Sequence, residues 1–335
     1  MSGEAHLVVG KKIESAAEPI KEEVGPFDLP HFFLAVLHRF RNAWRTVLIF
    51  VPYFWLFLFF LVPFGIVLKI SLAEAVIARP PFTPLLEWVD GTILEIRITF
   101  DNFLFLIEDP LYWTGYLNSL KLATISTICC LLLGYPMAYA IARASKSMRN
   151  VYLMMIILPF WTSFLLRIYA WMGMLNNNGV INSLLSWLGV ISEPIGFMHT
   201  EFAVFLGITY SYLPFMILPL YANLERMDLS LHEAAMDLGS RPVRVFFDVT
   251  LPLSMPGIIA GSLLVFIPAT GEYVIPALLG SPDNLMIGRV LFDEFFSNRD
   301  WPVASAVAIV LLVVLVAPIM FFQHYQMKEA GEGKA

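Results

Sequence analysis

Glu272 is an ionisable side chain within an apolar part of this sequence, where a carboxylate could bind a cation. It lies in the segment Pro268–Pro276, beside Gly271 and Tyr273. A carboxylate at membrane depth is costly and marks a functional site, and the prolines and glycine predict a broken helix whose free carbonyl groups face a cavity. With the aromatic face of Tyr273, such a site suits an organic cation. Alternatively, Glu272 forms a structural ion pair with Arg167 or with a partner subunit.

Further candidates are aromatic and acidic side chains near the predicted outer ends of the helices. The aromatic path candidates are Tyr169, Trp171, Tyr210 and Tyr212. Aromatic rings at this depth are also common as an interfacial belt or as packing. The acidic candidates for docking a binding protein, or for guiding a cation, are Asp283, Asp293, Glu294 and Asp300. Charges in loops are also commonly just solvated, and that alternative stays open.

No catalytic constellation is visible, and we expect a protein that is not an enzyme. The six His residues are scattered, and the sequence has no G-x-S-x-G, H-E-x-x-H or Walker A motif. Cys129 and Cys130 are adjacent, which excludes an ordinary disulfide, and two ligands alone do not make a zinc site. We therefore expect buried cysteines, no metal and no cofactor in this chain, and ATP hydrolysis, where needed, by another chain.

The composition predicts an all-α polytopic membrane protein. Hydrophobic residues make up 58% of the 335 residues and charged residues 14%, whereas soluble domains carry nearer a quarter charged residues. The net charge of −6 is spread over loops and tails without a basic block, so we expect no nucleic-acid partner. About six spans are long enough to cross a bilayer. Their predicted ranges are 47–70, 116–142, 151–174, 201–224, 253–279 and 303–322.

The distribution of Lys and Arg predicts which side each loop faces. Residues 1–46 are interpreted as a polar tail followed by an interfacial helix over 29–45, and residues 324–335 as a C-terminal tail. The basic N-terminal flank, the turn at Arg143–Arg149 and the loop 225–252 fall on one face under six spans. By the positive-inside rule this face is cytoplasmic. The charge distribution thus predicts multiple passes through a membrane, with both termini in the cytoplasm.

The polar loop 225–252 has its own helical signals. Ser230 and Glu233 have the spacing of a capping box, and the apolar residues that follow lie on one helical face. Gly239 is placed where a helix end needs positive φ, and Pro242 prevents the helix from continuing. A helix this short is marginal alone, so its Ala/Leu face is expected to dock against another surface. An ordinary surface helix-turn-helix remains the alternative.

This loop resembles the EAA loop of permease subunits of binding-protein-dependent ABC importers. Glu233-Ala-Ala, Gly239 and Val249-Thr-Leu251-Pro252 have the family spacing, with Val249 in place of Ile. The resemblance implies a type I importer permease fold and a coupling helix that inserts into a cytoplasmic ATPase. The coupling residues it implies are Glu233, Ala234, Ala235, Asp237, Gly239, Arg241 and Pro252.

Other passages resemble the putrescine/spermidine branch of that family, and the putrescine permeases in particular. They are Trp161–Gly173, Pro276–Asp283, Met286–Arg289 and Asn298–Ala306. This resemblance implies uptake of a polyamine, most simply putrescine, from the periplasm. It also implies a related second permease, two ABC ATPase copies that bind ATP and Mg²⁺, and a periplasmic polyamine-binding protein. The alternatives are import of an amino acid or another small solute, a secondary carrier, and a membrane-embedded enzyme.

Overall fold

The computed structural model describes residues 47–89, 93–282 and 285–332. The predicted tail and interfacial helix over residues 1–46, the docking candidate Asp283 and the last three residues lie outside this part of the chain. The chain divides after Pro63 into two compact units, and the second unit, beginning at Phe64, contains both candidate sites.

The described residues are mainly helical, and the helices are numbered here along the chain. They are α1 (Val47–Ser71), α2 (Asp101–Glu108), α3 (Pro110–Arg143), α4 (Lys146–Ile157), α5 (Phe164–Leu175), α6 (Val180–Trp187), α7 (Glu201–Glu225), α8 (Ser230–Asp237), α9 (Pro242–Leu253), α10 (Met255–Thr270), α11 (Val274–Leu279), α12 (Ile287–Phe292) and α13 (Trp301–Glu332). Between α1 and α2, a short antiparallel hairpin pairs β1 (Leu86–Val89) with β2 (Ile93–Ile96).

Three of these helices, α1, α3 and α7, are long and apolar enough to cross a membrane unbroken. Two bent pairs raise the number of candidate spans among the described residues to five: Lys146–Trp161 with Phe164–Trp187, and Pro242–Leu253 with Met255–Thr270. The sixth predicted segment lies in α13, where Trp301–Ala317 forms a shorter apolar stretch. The predicted segments thus lie mainly in helices, with breaks in the third and the fifth, and the number of crossings stays a prediction.

The third predicted span is not one straight helix. After α4 the chain makes a 3₁₀ turn over Leu158–Trp161, and the two helical arms meet at 92°. Pro159 has no N–H for the helical ladder, and the Thr162 hydroxyl donates to the Pro159 carbonyl at 2.7 Å. The local bonding therefore closes α4 and turns the chain before α5 begins.

The core of the second unit forms where α3, α7 and α10 pack together. Cys130 on α3, Met216 on α7 and Val265 on α10 are fully buried. The burial of Cys130 is as predicted, whereas Cys129 is only partly buried. Burial of apolar surface on this scale is the main stabilising contribution to such a core. It holds the end of α10 at a fixed place beside α7, and Glu272 follows directly.

Candidate functional site

The helix α8 begins with a cap from Asp228. The Oδ1 atom of Asp228 accepts a hydrogen bond from the backbone N–H of Ser230 at 2.9 Å, and this bond holds the pKa of Asp228 below its ordinary value. The predicted capping box of Ser230 and Glu233 is wrong. Ser230 is already the first helical residue, whereas a capping-box serine must precede the helix and keep a non-helical backbone.

The end of α8 is closed by Gly239, as the sequence predicts. Gly239 has φ +86°, its N–H donates to the Met236 carbonyl at 2.8 Å, and the Ser240 N–H donates to the Ala235 carbonyl at 3.1 Å. These are the two hydrogen bonds of a Schellman cap. Pro242 then stands at the first position of α9, so the two helices are separated by a defined bend.

The two faces of α8 have different surroundings. Leu231 is 46% exposed and Leu238 88% exposed, while His232 is partly buried toward α3 and α9. The predicted coupling residues that are exposed are Glu233, Ala234, Asp237, Gly239, Arg241 and Pro252, and Ala235 is partly buried. An exposed apolar face on so short a helix is available to a partner, and the coupling role of these residues stays a prediction.

A bend at Ser254 connects α9 to α10. The axes of the two helices differ by 64°, and Ser254 is fully buried. Its hydroxyl lies 2.9 Å from the hydroxyl of Tyr135 on α3 and 2.9 Å from the Leu251 carbonyl, to which it donates. The bend is therefore fixed by polar contacts within the core, and Ser254 is the one residue between α9 and α10.

Glu272 lies in the break between α10 and α11 and is 8% exposed. Its Oε2 atom accepts a hydrogen bond from the Tyr212 hydroxyl at 2.5 Å. Its Oε1 atom accepts from the backbone N–H groups of Val274 at 3.0 Å and Ile275 at 3.4 Å. Because these N–H groups begin α11, the carboxylate also caps that helix. The predicted helix break is confirmed, and the carboxylate in it is held by neutral donors.

Arg167 does not pair with Glu272. Its guanidinium lies over the rings of Phe160 and Phe164, at 5.3 and 5.7 Å from their centroids. Its Nε atom is buried without a hydrogen-bond partner in the described chain. The alternative in which Arg167 neutralises Glu272 is therefore wrong for this chain, because Arg167 is held on a separate aromatic surface by cation–π contacts.

The predicted aromatic path candidates fall into separate groups. Tyr212 contacts Glu272 directly, whereas Trp171 and Tyr210 form an edge-to-face pair with centroids 5.4 Å apart. Tyr273 stacks on Phe292 at 4.1 Å. Tyr169 is 55% exposed. The structure thus joins only Tyr212 to the carboxylate by a hydrogen bond, and the substrate contacts of the others stay predictions.

The acidic docking candidates are partly engaged within the chain. Glu294 accepts hydrogen bonds from Tyr112 and Asn298, each at 2.9 Å. Asp300 caps α13 by accepting from the Val303 N–H at 3.0 Å. Asp293 lies 3.9 Å from Arg289. These contacts give Glu294 and Asp300 structural roles. Asp293 makes only the long contact with Arg289, so of the three described candidates it has the most capacity left to bind an external partner.

The backbone at the helix break is held by a close approach of α12. A Cβ atom added to Gly288 would lie 2.4 Å from the Gly271 carbonyl oxygen and 2.9 Å from that of Glu272. Real Cβ atoms do not approach backbone so closely, so only glycine fits here. The position of the Glu272 carboxylate therefore depends on a residue in another helix.

We expect Gly288→Ala to destabilise the protein by about 1–3 kcal/mol, the usual cost of overpacking, and to lower the thermal unfolding midpoint. The matched control is Gly115→Ala on α3, which also packs against α12 but where the nearest atom to an added Cβ is 3.5 Å away, on Ile287. Thermal unfolding of the purified chain in detergent measures both. Equal midpoints for the two variants would contradict the close approach.

Residues 130–326 match the family model described as the inner membrane component of binding-protein-dependent transport systems. The chain belongs to this family. It is accordingly an integral inner-membrane permease subunit with the all-α importer fold, and it is not an enzyme. The EAA resemblance noted in the sequence and the family match therefore agree.

Relatives of this permease include two named spermidine/putrescine transport system permease protein PotB. The protein from Escherichia coli is 44% identical over 226 residues, covering 68% of this chain and 82% of the relative. The protein from Haemophilus influenzae is 39% identical over 287 residues, covering 85% and 94%. A solved bacterial alginate ABC transporter, in complex with a periplasmic protein bound to an alginate pentasaccharide, matches with TM-score 0.62 at 20% identity, covering 86% and 95%. At that identity the match concerns the fold.

Several residues of this permease site were missed by sequence reasoning. Asp228 takes the capping role, Gly288 holds the helix break, and Tyr135 with Ser254 fixes the bend. Asp228 could have been found, since an Asp side chain commonly accepts a hydrogen bond from the backbone N–H two residues on, in an Asx turn. The other three act through contacts between residues far apart in sequence, which leave no local pattern.

Proposed function

We propose that this permease is one of two related membrane subunits of an ATP-driven importer that takes up polyamines from the periplasm, with putrescine as the main substrate. The printed names of its PotB relatives support the substrate class. A second permease, two ABC ATPase copies and a periplasmic polyamine-binding protein complete the proposed complex. The ATPase binds ATP and Mg²⁺, since this sequence contains no Walker A motif.

The observation that carries this proposal is the carboxylate of Glu272. It is buried at the break between α10 and α11, and no Lys, Arg or His side chain of the described chain contacts it. Buried charges are normally paired. A terminal ammonium of a polyamine would supply the missing cation, and the Tyr212 hydroxyl would hold the carboxylate in place for it.

The proposed coupling path runs from α8 to this carboxylate through two helices. Closure of the ATPase dimer moves α8 and α9, and Ser254 passes that movement to α10. Because α10 has 16 residues, it extends for about 24 Å and ends at Thr270, two residues before Glu272. A movement of α10 would therefore also move Glu272. In the proposed mechanism this movement changes the side of the membrane to which the carboxylate is open.

The proposed orientation places α8 and both termini in the cytoplasm. The basic turn after α3 lies at the same end of the bundle as α8, since Arg143 contacts His232. Arg149 on α4 forms an ion pair with Glu225 at the end of α7. Basic residues concentrated at one end of the helices favour that end as the cytoplasmic one.

The test is ATP-driven uptake of labelled putrescine into liposomes that contain the permease with its co-purified partners. Uptake is expected to require ATP and the binding protein, and to be inhibited by unlabelled putrescine at a lower concentration than by spermidine. Inhibition first by spermidine would overturn only the putrescine assignment. Uptake of an amino acid or an oxyanion instead, by an intact complex, would refute the polyamine class. ATP-independent uptake driven by an ion gradient would refute the importer.

A further inference from the structure

His232 makes the side-chain hydrogen bonds that connect α8 to the rest of the described chain. Its Nε2 atom lies 3.2 Å from an Nη atom of Arg143 at the end of α3 and 2.8 Å from the hydroxyl of Thr250 in α9. The other polar side chains of α8 are exposed, those of Ser230, Glu233 and Asp237. One residue therefore links α8 to two other helices, α3 and α9.

The chemistry of these contacts fixes the protonation state of the imidazole. A guanidinium can only donate hydrogen bonds, so Nε2 of His232 must accept from Arg143 and cannot carry a proton. The ring is then the neutral tautomer with its proton on Nδ1, which is buried and makes no full hydrogen bond in the described chain, although the Asp228 backbone lies close enough to act on the ring. A proton added to Nε2 would point an N–H at Arg143 and break the contact.

The charged and titratable groups around His232 come from two of the three elements that face it. α3 contributes Arg143 and Tyr139, and α8 contributes Glu233; all three line a groove of about 370 Å³ beside the imidazole. The α9 residues that line the groove are Pro242, Val245, Phe246 and Thr250, which do not titrate.

Burial, followed by the positive charge of Arg143, lowers the pKa of His232 from its ordinary value of 6.5, against a smaller opposite effect of the Asp228 backbone. Because its pKa is lowered in the folded protein, His232 binds fewer protons while it holds α8 than after α8 has come loose. The junction is therefore intact at neutral pH and weakens as the pH falls below about 6.5.

We propose that His232 is a positioning residue that fixes α8 to α3 and α9 in its neutral form, and that its protonation loosens α8. This inference rests on the proposed role of α8 as the contact with the ATPase, and it adds a regulation of that role. Because a movement of the ATPase reaches α9 through this junction, loosening it would let α8 move without moving α10. Acidification of the cytoplasm would then lower the amount of solute imported per ATP hydrolysed.

Hydrogen exchange of the α8 amides in the full-length chain in nanodiscs tests the junction without any transported solute. Protection is taken relative to the intrinsic exchange rate at each pH. At pH 7.5 we expect His232→Ala to lower α8 protection by about tenfold, since the hydrogen bonding that Nε2 shares between Arg143 and Thr250 is lost. His232→Gln is expected to keep it, because the Gln side-chain oxygen can accept from Arg143 and Thr250. Protection in α3 serves as the folding control and should be equal in all variants.

The pH profile separates a titrating junction from a merely structural one. Between pH 7.5 and 5.5 the wild-type protection of α8 should fall, by up to about tenfold for a base that titrates near 6.5 when released, while that of His232→Gln should stay constant. Equal pH profiles for wild type and His232→Gln, or unchanged protection in His232→Ala, would overturn the inference. Failure of polyamine uptake in the liposome experiment would refute the proposed substrate and leave this exchange result unaffected, so the two failures are distinguishable.

Discussion

Replacing Glu272 by Gln is expected to lower kcat/KM for ATP-driven polyamine uptake by about 100-fold. Removing the charge partner of a cation costs at most about 4 kcal/mol at 4 Å under an effective dielectric constant near 20. The expected loss is smaller, about 2.7 kcal/mol or 100-fold, because the Gln oxygen can still accept a hydrogen bond from the ammonium. The substitution tests the charge separately from the helix cap, because Gln retains the side-chain oxygen that accepts from the Val274 and Ile275 N–H groups of α11. The charge is lost and the helix cap is kept.

Two controls make the Glu272→Gln result specific. Glu193→Gln removes a carboxylate from an exposed loop and should leave uptake unchanged. Tyr212→Phe removes the hydroxyl that donates to Glu272 but keeps the negative charge, so it should reduce uptake by much less than Glu272→Gln. Normal uptake by Glu272→Gln in a complex with an intact ATPase would show that the carboxylate serves only as a helix cap.

Replacing Gly239 by Val is expected to reduce uptake by about 30-fold while the permease still inserts and folds. The φ of +86° is costly for any residue with a Cβ, by roughly 1–2 kcal/mol, and more for a β-branched one. An added Cβ at Gly239 meets nothing within 4 Å, so the penalty comes from the backbone alone. Since α8 has only 8 residues, losing its cap should disorder the surface proposed for the ATPase.

The control for Gly239→Val is Gly239→Asn, because Asn adopts positive φ far more readily than Val. We expect Asn to retain most of the uptake and of the co-purified ATPase, and Val to lose both, with equal amounts of each variant in the membrane. Equal loss in both variants would mean that the side-chain surface at Gly239, rather than its backbone conformation, governs the association.

The features that were predictable from the sequence are those that depend on neighbouring residues. The positive φ of Gly239 follows from its place after an amphipathic segment, and the break at Glu272 follows from the prolines and glycine around it. Both are local consequences of backbone sterics. The all-α class follows as directly, because long apolar segments leave few alternatives in a membrane.

What the sequence could not predict depends on the partners that folding brings together. The 92° turn after Pro159 and the 64° bend at Ser254 require a choice of direction, and that choice is made by packing against other helices. For Ser254 the deciding contact is the hydroxyl of Tyr135, 119 residues away in the chain. The same holds for Arg167, whose position on Phe160 and Phe164 could not be distinguished in advance from an ion pair with Glu272.

The hydrogen bonds around Glu272 also set how long a bound cation would stay. A carboxylate offers about four lone-pair positions, and donors of the chain already occupy three of them: the Tyr212 hydroxyl and two backbone N–H groups. An arriving ammonium can use the remaining position as a single contact, or displace a donor and weaken α11. In either case the bound ammonium would be held by few contacts, which would favour its release in the proposed transport pathway. Tight capture from dilute solution would then belong to the soluble binding protein.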